Sequence, residues 1–251
     1  MIILAFIAGS FLVNSQNLYT SLTEIAQWIT DKDQAAIRGT PLPLQDFKQC
    51  SIKNIEATGF AFLDAAHPIT HEEFAGRRQR LGQALMADGA DAFVVEPGYT
   101  FSYYANITQR DWEVWEPEER PFLLVIQSGG SKKARSIFLV PTFEAERARL
   151  LGMPFSDDEN VTWVTYEEHW DPFATLASSG ALVRSNKSEG ADAPLRVVVD
   201  EEMRDFISRG LAGQRQFTVS GLGGEVERVR QIKTQPEVEI LRAVNTGTIE
   251  G

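Results

Sequence analysis

The sequence predicts an α/β protein: a single layered domain with a mixed, largely parallel sheet flanked by helices, preceded by an N-terminal arm. Three observations carry that expectation. Short apolar runs alternate with helical patterns from residue 70 onward, and such elements bury their faces best as stacked layers. Runs such as Leu195-Arg-Val-Val-Val199 are nearly continuous in apolar residues, which suits strands covered on both faces. Finally, 251 residues with 43% apolar and 24% charged side chains match a globular chain long enough to bury a sizeable core.

The chain opens with an apolar run, Ile2 to Val13, broken only by Gly9 and Ser10. As a helix it would reach about 18 Å against a hydrocarbon core of roughly 30 Å, so it is no ordinary transmembrane span. Its length suits the central region of a secretory signal, and Val13-Asn14-Ser15 offers a cut before Gln16. Residues 1–15 therefore read as a signal peptide or anchor. No Lys or Arg precedes the run, so a buried N-terminal element or a mis-assigned start codon also fits. Three of seven asparagines, Asn106, Asn160 and Asn186, head Asn-x-Ser/Thr sequons and are candidate N-glycosylation sites. Together these features favour a secreted or membrane-anchored protein over a cytoplasmic one.

Residues 16–69 read as an arm or linker, with a helix over Leu22 to Ile29. After it comes an extended stretch, Arg38-Gly-Thr-Pro-Leu-Pro-Leu44, set by Pro41 and Pro43. The layered domain spans 70–228. Thr70-His-Glu-Glu73 forms a capping box, Phe74, Leu81 and Leu85 share a helix face, and Gly89 ends the helix. Strands are predicted at Ala92–Val95, Phe122–Ile126, Ile137–Val140, Thr162–Val164, Leu195–Val199 and Phe217–Val219. Helices are predicted at Thr142–Leu151, Pro172–Ala177 and Glu201–Leu211. The Ser-, Asn- and Gly-rich stretch Ala181 to Ala193 reads as a surface loop. Residues 229–251 read as a hinge and the start of a further domain, since Gln235-Pro-Glu-Val-Glu begins a helix with Pro and acids in its first turn. The apolar Ile240, Leu241 and Val244 on that helix need a partner, so the chain resembles a truncated protein.

Charge and composition exclude several functions. With 24 Lys plus Arg against 35 Asp plus Glu, the net charge is −11, and no compact basic patch offsets it, so nucleic acid is not a partner. The single Cys50 allows neither an internal disulfide nor a cysteine metal cluster. His67 and His71 flank a Pro and a capping box rather than sharing a helix, and His169 has no partner pattern, so no catalytic or metal site is read in them. There is no Gly-x-Ser-x-Gly elbow. Gly221-Leu-Gly-Gly224 follows a predicted strand, as a phosphate-cradling loop does, but Val226 replaces the third glycine and no Walker lysine follows.

The densest chemistry lies in Tyr103 to Phe122, which brings two Tyr, two Trp and several Glu and Arg to one strand entry. Paired carboxylates there could do acid–base work, or the segment could be a solvated loop whose aromatics cover the sheet edge. Trp and Arg dominate interface energetics, which makes binding the better functional reading.

Three stretches together resemble the N-terminal domain of the creatinase, prolidase and aminopeptidase P family of metallopeptidases. Glu73-Phe-Ala-Gly-Arg-Arg-Gln-Arg-Leu81 followed by Asp88-Gly-Ala-Asp-Ala-Phe-Val-Val95 resembles its opening helix and strand. Tyr103-Tyr-Ala-Asn106 followed by Glu119-Arg-Pro-Phe-Leu-Leu-Val125 is similar to its tyrosine-bearing turn and next strand. Val229-Arg-Gln-Ile-Lys-Thr-Gln-Pro-Glu-Val-Glu-Ile-Leu-Arg242 is similar to its hinge and first catalytic-domain helix. The aromatic-acidic insertion Trp112 to Glu118 is similar to those of fungal members. The resemblance implies a domain that breaks no bonds, builds homo-oligomer contacts and narrows access to an active site for Pro-containing peptides. It implies two divalent cations, manganese or zinc, held by two Asp, one His and two Glu of a catalytic domain, and no cofactor in this chain. On this reading Tyr104, Trp112, Trp115, Glu119 and Arg120 form the substrate-access or interface surface, and no residue here is catalytic or a metal ligand. A stand-alone binding or scaffold protein reusing the fold is the alternative, and a nucleotide-binding α/β protein a weaker one.

Overall fold

The computed structural model describes residues 44–58, 61–112, 120–129, 133–157, 159–184 and 193–250. They belong to two compact units, Met1–Asp64 and Ala65–Gly251. The apolar run 2–13, the helix expected over 22–29 and the Pro41/Pro43 stretch lie outside the described residues. In the first unit, α1 (Leu44–Thr58) is helical where an arm is expected. Its fifteen residues contain neither Pro nor Gly and place Asp46 in the first turn, which favours a helix. Cys50 is exposed on it.

In the second unit the helices are α2 (His71–Ala87), α3 (Tyr99–Ala105), α4 (Gln109–Trp112), α5 (Ala145–Leu150), α6 (Pro172–Ser178), α7 (Asp205–Ala212), α8 (Gly224–Gln231) and α9 (Gln235–Glu250). Strands β1 (Ala92–Val95), β2 (Leu123–Gln127), β3 (Arg135–Pro141), β4 (Asn160–Tyr166), β5 (Leu195–Val199) and β6 (Phe217–Ser220) form one sheet in the order β4-β3-β2-β1-β5-β6. Pairs β1–β5, β5–β6 and β3–β4 are parallel, and β2 runs antiparallel to both neighbours. This is the mixed, largely parallel sheet that the sequence predicts.

Period-two alternation splits the strand residues between two cores. Phe93, Val95, Leu124, Ile126, Phe138 and Val198 pack beneath Leu81 and Leu85 of α2, Phe101 and Tyr104 of α3, and Val226 of α8. Val94, Leu123, Val125, Ile137, Leu139 and Val197 face Phe173 and Leu176 of α6 and Ile207 and Leu211 of α7. Because helices cover both faces, these strands carry apolar residues at successive positions.

Local chemistry sets the ends of α2. The Thr70 hydroxyl accepts from the Glu73 amide at 3.2 Å, while the Glu73 carboxylate turns to Arg80 at 2.8 Å instead of reaching back. Half of the expected capping box therefore forms, because a charged donor outcompetes the backbone amide. At the other end Gly89 sits at φ +67°, its N–H donating to Met86 O at 3.2 Å and the Ala90 N–H to Leu85 O at 2.8 Å. That pair of bonds is a Schellman motif, which requires the left-handed glycine. Arg78, 1% exposed, fixes α2 to the rest of the layer. Its guanidinium donates to Tyr104 O at 2.6 Å, Pro154 O at 2.8 Å and the Glu159 carboxylate at 2.7–3.0 Å, and it lies 4.0 Å from the Phe155 ring centre.

Two predicted helices are shorter than expected. Thr142–Glu144 forms a 3-10 turn before α5. Residues 201–204 form a turn rather than helix, because the Glu96 carboxylate accepts from Arg204 N at 2.7 Å and Nε at 2.6 Å. No helix among the described residues is long and apolar enough to cross a membrane.

Candidate functional site

Strand polarity gathers the chain's polar loops at one end of the sheet. β1, β3, β4, β5 and β6 all finish at that edge, and antiparallel β2 starts there. After β1 the chain enters α3 on one face, whereas after neighbouring β5 it enters α7 on the opposite face. The connections diverge there and leave a crevice, the place where open α/β sheets receive ligands. A cleft of about 330 Å³ occupies that position, lined by Glu96 from the loop after β1, Tyr99 and Thr100 from the first turn of α3, Arg110 of α4, and Asp200 and Arg204 from the loop after β5. A second cleft of about 380 Å³ shares Asp200 and is lined also by Tyr104, Arg230 and Lys233.

The charges in these clefts are arranged unequally. Glu96 is engaged twice by Arg204, as above. Asp200 has the Arg230 guanidinium at 3.7 Å, but Arg230 Nη1 donates to the buried Thr100 hydroxyl at 2.7 Å. Burial first, and the adjacent Tyr103 second, push the Tyr104 phenol well above its ordinary value, so it stays a neutral hydroxyl.

The structure separates the residues that the sequence groups as one surface. Tyr104 is 1% exposed and packs edge-on against Phe93 at 5.9 Å, so it belongs to the core, with one side toward the second cleft. Trp112 is 7% exposed, stacks on Phe122 at 3.9 Å and lies 4.1 Å beneath the Arg147 guanidinium. Both correct the expectation of an exposed surface: the charged neighbours in sequence disguise rings that the sheet needs for packing. Arg120 does lie at the edge, paired with Glu168 at 2.7 Å and 4.9 Å from the ring centre of exposed Phe143. Trp115 and Glu119 lie outside the described residues. Asn106 is exposed and closes α3 in the left-handed region, which Asn tolerates. Asn160 is the first residue of β4, its side chain outside the described set, as is Asn186.

The glycine stretch 221–224 does not cradle a phosphate here. Gly223 and Gly224 open α8, and its first amides are taken by the chain's own Asp88, whose carboxylate accepts from Glu225 N at 3.1 Å and Val226 N at 3.0 Å. A Cβ on Gly223 would stand 2.4 Å from that carboxylate, so glycine is there for close approach to Asp88. Among the described residues no three of His, Cys, Asp and Glu come together as metal ligands.

The segment read as a hinge docks on α2 and α3. Thr234 N–H donates to the Glu237 carboxylate at 2.8 Å, capping α9, and Arg77 Nη2 pairs with the same carboxylate at 2.9 Å. Arg77 also donates to Tyr103 O at 2.9 Å and lies 4.1 Å over the Tyr103 ring. Burial alone would raise the Glu237 carboxyl, but the Thr234 amide and Arg77 outweigh it and hold it below its ordinary value. Ala243 is buried, whereas Leu241 and Val244 remain exposed.

No model of a protein family matches the chain. It is 34% identical over 216 residues to an uncharacterized peptidase of Schizosaccharomyces pombe, covering 83% of this chain and 43% of that one. The chain therefore spans well under half the length of the curated relative it matches. Among solved structures it is similar to dipeptidase PepE from Mycobacterium ulcerans, at a TM-score of 0.52 and 21% identity, covering 69% of this chain and 40% of that chain. At that identity the likeness is one of fold. The creatinase/prolidase N-terminal domain of an X-Pro dipeptidase from Streptococcus pyogenes aligns at a TM-score of 0.43 and 14% identity, over 63% of this chain and 99% of that one.

Proposed function

Because this chain carries the α/β domain that stands at the N-terminus of creatinase/prolidase-type peptidases, we propose that it is a non-catalytic substrate-access and oligomerisation domain. The parent would be an Xaa-Pro aminopeptidase- or prolidase-like metallopeptidase. The observation that supports this reading is the carboxyl edge of the sheet. Arg120, Phe143, Glu168 and Trp170 form an exposed rim of aromatic and charged groups, with Phe143 54% and Trp170 49% exposed. Exposed aromatics beside a guanidinium suit a surface that receives a peptide or a second subunit. In the parent enzyme two divalent cations, manganese or zinc, would supply an activated water from a separate catalytic domain. This chain's own contribution is to bind, to orient and to restrict access, with homo-oligomer contacts built through the same domain.

The test compares this chain with the longer enzyme on Xaa-Pro dipeptides, with manganese, zinc or cobalt added. The expected result is turnover by the longer enzyme alone, and a raised KM or weaker self-association when Arg120→Ala and Phe143→Ala are combined in it. Metal-dependent cleavage by the present chain ends the proposal.

A further inference from the structure

Among the described residues a single buried side-chain polar atom has no hydrogen-bond partner: Nε of Arg77, on a residue 4% exposed. The rest of that guanidinium is engaged. Nη1 donates to Tyr103 O at 2.9 Å, and Nη2 pairs with Glu237 of α9 at 2.9 Å. The nearest carboxylate to Nε is that of Glu73, one turn earlier on α2, with Oε1 at 3.7 Å. That oxygen accepts from Arg80 instead, at 2.8 Å. A buried donor left unpaired costs free energy, so its persistence asks for a physical reason.

Glu73 is a spare acceptor for Arg77. A glutamate four residues before an arginine stands in the favourable order for a helix ion pair, and the Nε/Nη2 fork matches a carboxylate through two parallel hydrogen bonds. The Arg80 side chain is 39% exposed, so water can replace Glu73 around it. Arg77 therefore has two arrangements: on Glu237 with Nε orphaned, or on Glu73 with Nε paired. Removing one partner of a buried ion pair ordinarily strands a charge, a penalty that the waiting carboxylate removes. Little else holds α9, since Glu237 and Ala243 are the only buried residues among those described on it. We propose that Arg77 is a two-position clasp: passage of its guanidinium from Glu237 to Glu73 releases α9 from α2 as a unit while the layered core stays folded. The clasp sets how freely the helix leaving the layer can turn. This goes beyond the access-domain reading and stands or falls without any peptidase activity.

The test is amide hydrogen exchange by NMR on the ¹⁵N-labelled 251-residue chain, read at residues 239–246 of α9 and along α2. Glu237→Gln keeps the shape and removes the charge, and should speed exchange in α9 by about tenfold or more while α2 is unchanged. Glu73→Gln weakens the alternative seat, and should slow exchange in α9 by about threefold or more, the effect of an i,i+4 ion pair strengthened by burial. The spectroscopic sign is the Arg77 Nε–H proton, identified by its loss in Arg77→Lys. It should move downfield in Glu237→Gln, where it bonds Glu73, and stay in place when Glu73→Gln is added. Faster or unchanged exchange of α9 in Glu73→Gln overturns the proposal, because Glu73 is then a static support. An unmoved Nε–H proton, or unchanged α9 exchange, in Glu237→Gln does the same. Exchange of α9 and α2 in step, or outright unfolding of Glu237→Gln, overturns it as well, since release is claimed for α9 alone.

Discussion

Removing one partner of the buried Arg78–Glu159 pair is expected to destabilise the domain more than most single substitutions. The side chains are 1% and 7% exposed, so neither charge can be rehydrated without opening the layer. In Glu159→Gln the guanidinium keeps Tyr104 O, Pro154 O and the Phe155 ring face but loses its counter-charge. In Arg78→Met the Glu159 carboxylate keeps the Ser156 amide at 3.1 Å, while two backbone carbonyls lose their donor. Breaking a buried pair this way costs about 3–5 kcal/mol. At roughly 2–4 °C per kcal/mol for a unit of this size, the melting temperature should fall by about 6–20 °C. The double variant Arg78→Met/Glu159→Gln should lose clearly less than the sum of the two, since the second change removes an already uncompensated charge. Urea unfolding of the four proteins provides the cycle. Single losses below about 1 kcal/mol, or additivity within about 0.5 kcal/mol, refute the reasoning that this pair is desolvated and coupled.

Trp112→Ala should cost about 3–5 kcal/mol in urea unfolding, because it vacates the stack on Phe122; a change near zero returns this ring to the surface. Gly210→Ala should destabilise α7 against α6 by about 1–3 kcal/mol, since a Cβ there meets the Phe173 ring at 2.1 Å; unchanged thermal stability contradicts that packing. The Glu237 carboxyl is held below the ordinary glutamate value, so it stabilises the fold fully above that value and ceases to as pH falls through the folded one. Glu237→Gln should therefore lower stability at neutral pH and flatten the acid limb below about 4.5, read from urea midpoints across pH. An acid limb identical to that of the parent chain counts against the Arg77–Glu237 contact.

What was legible in the sequence was whatever depends on neighbours along the chain. Thr70 caps its helix and Gly89 ends it because both act over one turn, and the six apolar runs become strands because burial on two faces leaves a continuous signal. Helix α3 escaped notice: it has seven residues, no capping side chain and aromatics that also suit a strand. Distant partners account for the other departures. Glu96 bonds Arg204 and delays α7, and Asp88 occupies the start of α8, which by spacing alone looks ready for phosphate. Trp112 is drawn inward by Phe122, with which it stacks, despite its polar neighbours in sequence. The cleft lay beyond reach for the same reason, since Glu96 and Asp200 become neighbours only when β1 and β5 pair.

The strand order carries a consequence for how the molecule is made. β1 to β4 assemble in chain order, but the free side of β1 waits for β5, whose register pairs Ala92 with Val197 and Val94 with Val199. At ribosomal rates of roughly 5–20 residues per second, the stretch of about thirty residues between the end of β4 and β5 takes roughly 1–6 s to emerge. For that time a nascent four-strand intermediate presents Ala92-Phe-Val-Val95 as a bare apolar template, the kind of edge on which neighbouring chains stick. Misassembly is thus concentrated in the unfinished polypeptide, where a chaperone acts to greatest effect, and closes off once β5 arrives.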